Sequence, residues 1–238
     1  MLLTRSNISD FPQWLEMANS VGASALIDKD SGWTSFDVIA KLRNTLKIKK
    51  VGHAGTLDPL ATGLLIICFG KFTKKIEEYQ ALKKAYTAEI RLGAVTKSYD
   101  SEFEEENIVD IGGLTNDSIY QAAKRLTGEI MQTPPVFSAK KVKGKPLYSY
   151  ARKDIEVTPK EAMVNVYRFD IKNVELPLVT AEIECSKGTY IRSLARDLGL
   201  ALGCGGYLKS LRRTAIGEYS VDNALNLNII VDLIKTNQ

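Results

Sequence analysis

The chain has 238 residues, 45% hydrophobic and 25% charged, which suits one large or two small globular domains with a substantial core. Its net charge of +4 selects no partner class, so the distribution of charge has to be read instead. No apolar run approaches the roughly 20 residues of a membrane span. The opening MLLTRSNISDFPQWLEM places acids and Pro12 where a secretion signal needs unbroken apolar sequence, so the cytoplasm, or an organelle after import, is the expected compartment.

In chain order, residues 1–24 are polar apart from a short amphipathic stretch at Phe11, Trp14, Leu15 and Met17, and read as an N-terminal extension. ALIDKDSGW (25–33) reads as a strand running into a turn at Gly32. Thr34 with Asp37 three residues on is a capping-box start, and Val38, Ile39, Leu42 and Leu46 give the following helix one apolar face. KVGHAGTLDPLATG (50–63) carries four residues, Gly52, Gly55, Pro59 and Gly63, that mark a loop. LLIICFG (64–70) is an apolar run of buried-strand length, and KFTKKIEEY has helical spacing through Phe72, Ile76 and Tyr79.

AYTAEIRLG (85–93) alternates, with Tyr86, Ala88, Ile90 and Leu92 on one face. TNDSIYQAAKRLTG (115–128) predicts a capped helix that turns Ile119, Ala122, Ala123 and Leu126 inward. Two further alternating runs (163–171 and 180–186) are strands, and after Gly188 the run TYIRSLARDLG begins a helix on Ile191, Leu194 and Leu198. YSVDNALNLNIIVDLIKTNQ carries an apolar stripe suited to a closing helix. Helices and strands interspersed without βαβ repeats predict an α+β fold on a central mixed, largely antiparallel sheet flanked by helices and loops.

Two segments are basic and free of acids: 41–50 (Lys41, Arg43, Lys47, Lys49, Lys50) and 138–153 (Lys140, Lys141, Lys143, Lys145, Arg152, Lys153). Each alone fits a solvated helix face; together, and with Tyr148 and Tyr150 in the second, they suit a phosphate backbone. His53 is the only histidine, and Cys68, Cys185 and Cys204 are far apart. No zinc or other metal site is therefore expected, and Cys68 and Cys185 read as reduced and buried. Gly70-Lys71 lacks the earlier glycine of a phosphate-binding loop, and GCGGYL (203–208) lacks the third glycine of a dinucleotide loop. A serine triad would have to use His53, and no G-x-S-x-G accompanies it.

Asp58 is the first candidate for chemistry. Pro59 pushes it towards an extended backbone, and the glycines around it permit close approach by another backbone or a ligand. It is either a nucleophile or base, or a brace for its own loop. Arg192, just after Gly188, is placed to hold a carboxylate ionised, or is a solvent-facing helix arginine. Tyr86 could equally be core, and His53 could be a stacking ring, an acid–base group or a surface histidine.

GHAGTLDPLATGLL (52–65) closely resembles the signature loop of the TruB family of tRNA pseudouridine synthases. Four more segments resemble family motifs in the same order: LIDKDSGWTSFDV (26–38), KAYTAEIRLGAVTKSYD (84–100), TGEIMQTPPVFSAKKVKGKPLYSYAR (127–152) and GTYIRSLARDLG (188–199). The resemblance spans roughly residues 25 to 217 and implies a pseudouridine synthase fold. It also implies isomerisation of uridine to pseudouridine at position 55 of the tRNA T loop, without cofactor or metal. By the same resemblance Asp58 is the essential aspartate and Tyr86 stacks on the target uracil and serves proton transfer at C5. Arg192 pairs with the catalytic carboxylate, Asp100 is an acid near that arginine, and Lys29 belongs to the D-K-P motif, where Asp30 replaces the usual proline. His53 helps to flip and replace bases. Lys140, Lys141, Lys143, Lys145 and Arg152 lie in an RNA-clamping insertion (about 136–154) that orders on binding.

Residues 218–238 are too few for the C-terminal PUA domain of many bacterial members, and are expected to form a short tail. The expected partner is the tRNA T arm, with no membrane and no obligatory protein partner, the chain acting as a monomer. A non-catalytic tRNA-binding or tRNA-folding protein that keeps the cleft is the main rival; the presence of Asp58, Tyr86 and Arg192 together argues against it, and folding and modification can coexist. A guide-RNA-dependent synthase is expected to carry the missing C-terminal domain, and a metabolic enzyme with an Asp nucleophile leaves both basic segments unexplained.

Overall fold

The computed structural model describes residues 1–142, 144–153, 155 and 157–236. In chain order the elements are β1 (Leu2–Leu3), α1 (Phe11–Ser20), β2 (Ser24–Lys29), α2 (Ser35–Leu46), β3 (Val51–His53), β4 (Thr62–Phe69), α3 (Ile76–Ala81) and β5 (Lys84–Leu92). Then follow α4 (Asn116–Arg125), β6 (Gly128–Gln132), β7 (Lys141–Val142), β8 (Lys145–Pro146), α5 (Leu147–Ala151), β9 (Ala162–Glu175) and β10 (Leu178–Cys185). The chain ends with α6 (Ile191–Ala201), β11 (Gly206–Ile216), β12 (Tyr219–Ser220), β13 (Leu225–Asn226) and α7 (Leu227–Thr236). This is an α+β fold, and it divides into two compact units: Met1–Tyr86 with Arg212–Gln238, and Thr87–Leu211. The chain leaves the first unit along β5 and returns along β11.

In the first unit β4 is the central strand. It pairs antiparallel with β2 and β3, and its Thr62 and Gly63 pair parallel with Arg212 and Arg213. Because side chains alternate across a strand, Leu65, Ile67 and Phe69 pack with Val38, Leu42 and Leu46 of α2 and Ile230, Val231 and Ile234 of α7. Leu64, Ile66 and Cys68 face the other way, towards Leu26, Ile216 and Val221. Burial on both faces is what an uninterrupted apolar run needs, and it explains why LLIICF carries no alternation. The start of α2 has the reciprocal cap expected of Thr34 and Asp37: the Asp37 N–H donates to Thr34 Oγ1, and the Thr34 N–H to Asp37 Oδ2.

Residues 1–24, set apart in the sequence as an extension, contribute Leu3, Phe11, Trp14 and Ala18 to this core. Trp14 meets Phe69 edge-on at 5.3 Å between ring centroids and donates its indole N–H to the Ser24 carbonyl at 2.8 Å. The strand pairing beneath is two residues long, Leu2 and Leu3 against Ser24 and Ala25, too short to leave a pattern in sequence. The apolar stripe near the C-terminus is α7, which turns Leu227, Ile230, Val231 and Ile234 inward.

In the second unit the strand order is β11-β5-β10-β9-β6. β9 pairs antiparallel with β10 and β6, and α4 lies on β9, burying Ile119, Ala122 and Ala123. Ala88, Ile90 and Leu92 of β5 are buried as the alternation requires, and Tyr86, on the same face, is half-buried. Helix α6 packs tightly on the turn before β11: a Cβ on Gly199 would stand 2.1 Å from the Gly205 carbonyl carbon, so only glycine fits. Cys68, Cys185 and Cys204 are all buried free thiols.

Candidate active site

The loop between β3 and β4 carries Asp58 and is held almost entirely through its backbone. Ala54, Leu57 and Ala61 are buried and anchor it, which leaves Asp58 half-buried between buried Leu57 and exposed Pro59. The Ser35 hydroxyl accepts from the Leu57 N–H at 2.8 Å and donates to the Leu57 carbonyl at 3.1 Å. The Gly32 N–H donates to the Pro59 carbonyl at 2.9 Å, and the Ala61 N–H closes a turn on the Asp58 carbonyl at 3.1 Å. Gly63, with φ +102°, ends the loop where a Cβ would meet the Arg213 carbonyl oxygen at 2.3 Å. Glycine is therefore required there twice, by dihedral and by space.

Two buried cations complete the support. Arg213, 1% exposed, donates from Nε to the Leu64 carbonyl at 2.7 Å and from its terminal nitrogens to the Gly55 and Thr56 carbonyls at 3.2 and 3.5 Å. Its neighbour Arg212 points the other way and forms a bidentate pair with Asp28, at 2.7 and 3.0 Å. Lys29, also 1% exposed, donates to the carbonyls of Trp33 at 2.7 Å, Asp30 at 2.9 Å and Pro59 at 3.5 Å. It thus ties the turn after β2 to the Asp58 loop.

Burial pulls the Lys29 ammonium down to a pKa of about 8, with Arg213 adding to the shift; Asp30, Asp58 and Asp37 oppose it. In the unfolded chain this lysine titrates near 10.5. Between about 8 and 10.5 the unfolded state therefore binds more protons than the native one, and stability should rise with pH across that window. Urea unfolding of wild type and Lys29→Met from pH 7 to 10.5 tests this. The wild type should gain on the variant as pH rises; parallel curves would mean that Lys29 stays charged in its site.

His53 ends β3, paired opposite Ile67. Burial and then the positive charge of Arg213 lower its pKa, against a smaller opposing contribution from the Gly55 backbone, so it is neutral near pH 7. Its Nδ1 is buried without a hydrogen-bond partner among the described residues. A neutral, half-buried ring beside the Asp58 loop suits stacking better than proton transfer.

In the second unit Arg192 lies in the first turn of α6 and faces inward, 5% exposed, not outward to solvent. Its NH1 meets Asp100 Oδ2 at 3.1 Å and donates to the Ser98 carbonyl at 3.3 Å, while NH2 donates to the Phe137 carbonyl at 3.0 Å. Asp100 also accepts from the Ser98 hydroxyl and from the Glu102 N–H. The preceding residue, Tyr99, sits at φ +62°, a conformation costly for a bulky side chain. Gln132 brackets the residue before α6: its Oε1 accepts from the Tyr190 N–H at 2.8 Å and its Nε2 donates to the Tyr190 carbonyl at 3.2 Å. Ser193 donates to the Thr133 carbonyl at 2.8 Å. Through these contacts the QTPPVF segment and the Asp100 turn fix the guanidinium of Arg192.

The basic segment 138–153 contains the β7–β8 hairpin and α5. Tyr150 donates to the Val142 carbonyl at 3.1 Å, Lys140 to the Lys160 carbonyl at 2.8 Å, and Arg152 lies over the Tyr148 ring at 5.6 Å. Lys145 is exposed. Lys143 and the side chain of Lys141 lie outside the described residues. Ser35, Arg213 and Gln132 were not singled out as site residues in the sequence. Ser35 and Arg213 act on backbone groups, which leave no spacing to find; Gln132 stood inside a recognised motif without a role.

Comparison with solved structures gives the class. A chain of a Cbf5–Nop10–Gar1 complex superposes with a TM-score of 0.70 at 30% identity, over 92% of this chain and 56% of that one. A chain of an H/ACA RNP bound to a substrate RNA containing 2′-deoxyuridine gives 0.69 at 27% identity, over 93% and 56%. This chain thus spans a little over half of either, and its fold is that of the pseudouridine synthases. The model of the TruB family pseudouridylate synthase N-terminal domain matches residues 43–191, and that of the tRNA pseudouridylate synthase B C-terminal domain matches 192–238. The tRNA pseudouridine synthase B of Chloroherpeton thalassium is 47% identical over 221 residues, covering 90% of this chain and 92% of that protein. That of Flavobacterium johnsoniae is 43% identical over 221 residues, covering 90% and 96%. The chain belongs to the TruB family of pseudouridylate synthases.

Proposed function

We propose that this protein isomerises uridine to pseudouridine at position 55 in the T loop of tRNA, with Asp58 as the reacting carboxylate. The observation that carries this reading is the tethering of the Asp58 loop at Gly55, Thr56, Leu57 and Pro59 by Arg213, Ser35, Gly32 and Lys29, which holds one carboxylate in place by its neighbours' backbone. Catalytic groups positioned by rigid surroundings are what a reaction without cofactor requires. The target uridine must leave the folded loop before its C1′–N1 bond is reachable. Tyr86 then stacks on the uracil and serves the C5 proton, and His53 fills the space the base vacates. Breaking C1′–N1 and forming C1′–C5 within one nucleotide involves no net oxidation: C5 loses its proton as the ring regains its double bond, and N1 takes up a proton.

The family resemblance gives Arg192 the role of partner to the catalytic carboxylate; Asp100 positions its guanidinium, and Lys29 supports the loop. Lys140, Lys141, Lys143, Lys145 and Arg152 contact phosphates from the insertion at about 136–154. The motifs of the catalytic domain fall within 25–217, with residues 1–24 and α7 packed into its core, and the enzyme acts in the cytoplasm as a monomer on the T arm. No helix among the described residues is long and apolar enough to cross a membrane. The test is pseudouridine mapping in an unmodified tRNA transcript incubated with purified protein. Product at the T-loop uridine is the expected result. Tight tRNA binding without product would overturn the reading in favour of a tRNA-folding role.

A further inference from the structure

Helix α2 buries Val38, Ile39, Leu42 and Leu46, and its opposite face carries an unusual pairing of groups. Phe36 is 62% exposed, and the Arg43 guanidinium lies 5.9 Å from the centre of its ring. Seven residues apart, these two share one side of the helix, and Lys47 continues the line one turn on. Lys41, Lys47, Lys49 and Lys50 are exposed, and among the described residues none of the five cations at 41–50 pairs with a carboxylate. Elsewhere Arg168 and Lys172 share Asp170 and Glu182, and Arg91, Arg196 and Arg212 each have an acid. The one acid of α2, Asp37, is engaged in the cap by Thr34. The face is therefore a positive field with an exposed ring at one end. That end adjoins the candidate catalytic loop, because Ser35, the residue before Phe36, is bonded to Leu57.

We infer that the outer face of α2 is an RNA-contact track, with Arg43 and Lys47 on successive phosphates and Phe36 packed against a base or ribose of a nucleotide near the target. A strand of RNA is the polyanion that also supplies planar rings, so it matches both halves of the face. The inference rests on the reading of RNA as the substrate and adds to it a docking surface outside the insertion at about 136–154.

The test measures affinity for an unmodified tRNA transcript against salt, and single-turnover rate at saturating enzyme, for Phe36→Ala and for Arg43→Gln/Lys47→Gln. A control, Lys172→Gln/Lys235→Gln, changes net charge equally elsewhere. Phe36→Ala should weaken binding about 10-fold, as loss of one stacking contact does. The α2 double variant should flatten the slope of log K against log salt by roughly 1 to 2. Rates at saturation should stay within about twofold of wild type, since neither variant touches the Asp58 loop's tethers. Wild-type affinity and slope in both α2 variants would overturn the inference, as would an equal loss in the control. If wild type binds but makes no pseudouridine while the α2 variants still lose affinity, the catalytic reading fails and the RNA track stands.

Discussion

Asp58→Asn is expected to abolish pseudouridine formation while leaving both the fold and tRNA affinity close to wild type. The separation follows from how the loop is held. Ser35 grips the Leu57 peptide on both sides, Arg213 holds the Gly55 and Thr56 carbonyls, and Gly32 and Lys29 share the Pro59 carbonyl. None of these contacts uses the Asp58 side chain. An amide of the same size leaves these backbone tethers in place and gives up only the side chain's own interactions, among them its charge on Lys29, so the stability change should stay within about 1 kcal/mol. The amide cannot act as carboxylate nucleophile or base, and a rate loss of at least about 10³ is expected for removing such a group. Product mapping on a tRNA transcript, with a parallel binding titration and thermal melt, reads all three quantities. Turnover by the variant within tenfold of wild type would show that another group does the chemistry. A large fall in melting temperature would instead make the carboxylate a brace, the structural role equally open to an aspartate before proline.

The parts of the site legible in the sequence are those written in local grammar. Pro59 and three glycines mark the Asp58 loop, Thr34 and Asp37 announce the helix that follows β2, and the alternation of 85–93 orients β5. Each of these depends on residues within one turn or one strand of each other. Asp58 is legible as a candidate because it precedes a proline on a glycine-rich loop, where both a reactive and a bracing role are open to a carboxylate. The signature motifs then gave it a family.

What the sequence withheld is the scaffold beneath the loop. Arg213 stands in LKSLRRTAIG, where a pair of arginines on a strand suggests solvent, yet one turns out to Asp28 and the other in to three carbonyls. A hydrogen bond to a backbone carbonyl has no sequence partner to covary in spacing or charge, so nothing near Arg213 points to Gly55 or Thr56. The same holds for Gln132 and Tyr190, and for Ser35 and Leu57. The N-terminal residues look like an extension because their contribution is three-dimensional. Trp14 matters through Phe69 and Ser24, and β1 through a two-residue parallel pairing.

Asp100→Ala is expected to destabilise the second unit by about 3–5 kcal/mol, because it breaks a buried ion pair with Arg192. The side chains of Arg192 and Asp100 are only 6% and 2% exposed, so water cannot take over the lost interaction. The Ser98 hydroxyl and Glu102 N–H lose their acceptor as well, in a turn already carrying Tyr99 at positive φ. Asp100→Asn keeps an acceptor of the same shape and should cost less. Combining Asp100→Leu with Arg192→Met removes both charges, so the double variant should be more stable than the sum of the single losses by about 1–3 kcal/mol. Urea unfolding of the four proteins closes the cycle, and single losses below about 1 kcal/mol would mean the pair does not hold this turn. Catalysis supplies the second readout. Asp100 is buried and engages Arg192 and its own turn, so Asp100→Asn should lower kcat through a loosened guanidinium while KM for tRNA holds. A rise in KM with unchanged kcat would place Asp100 in RNA binding rather than in positioning Arg192.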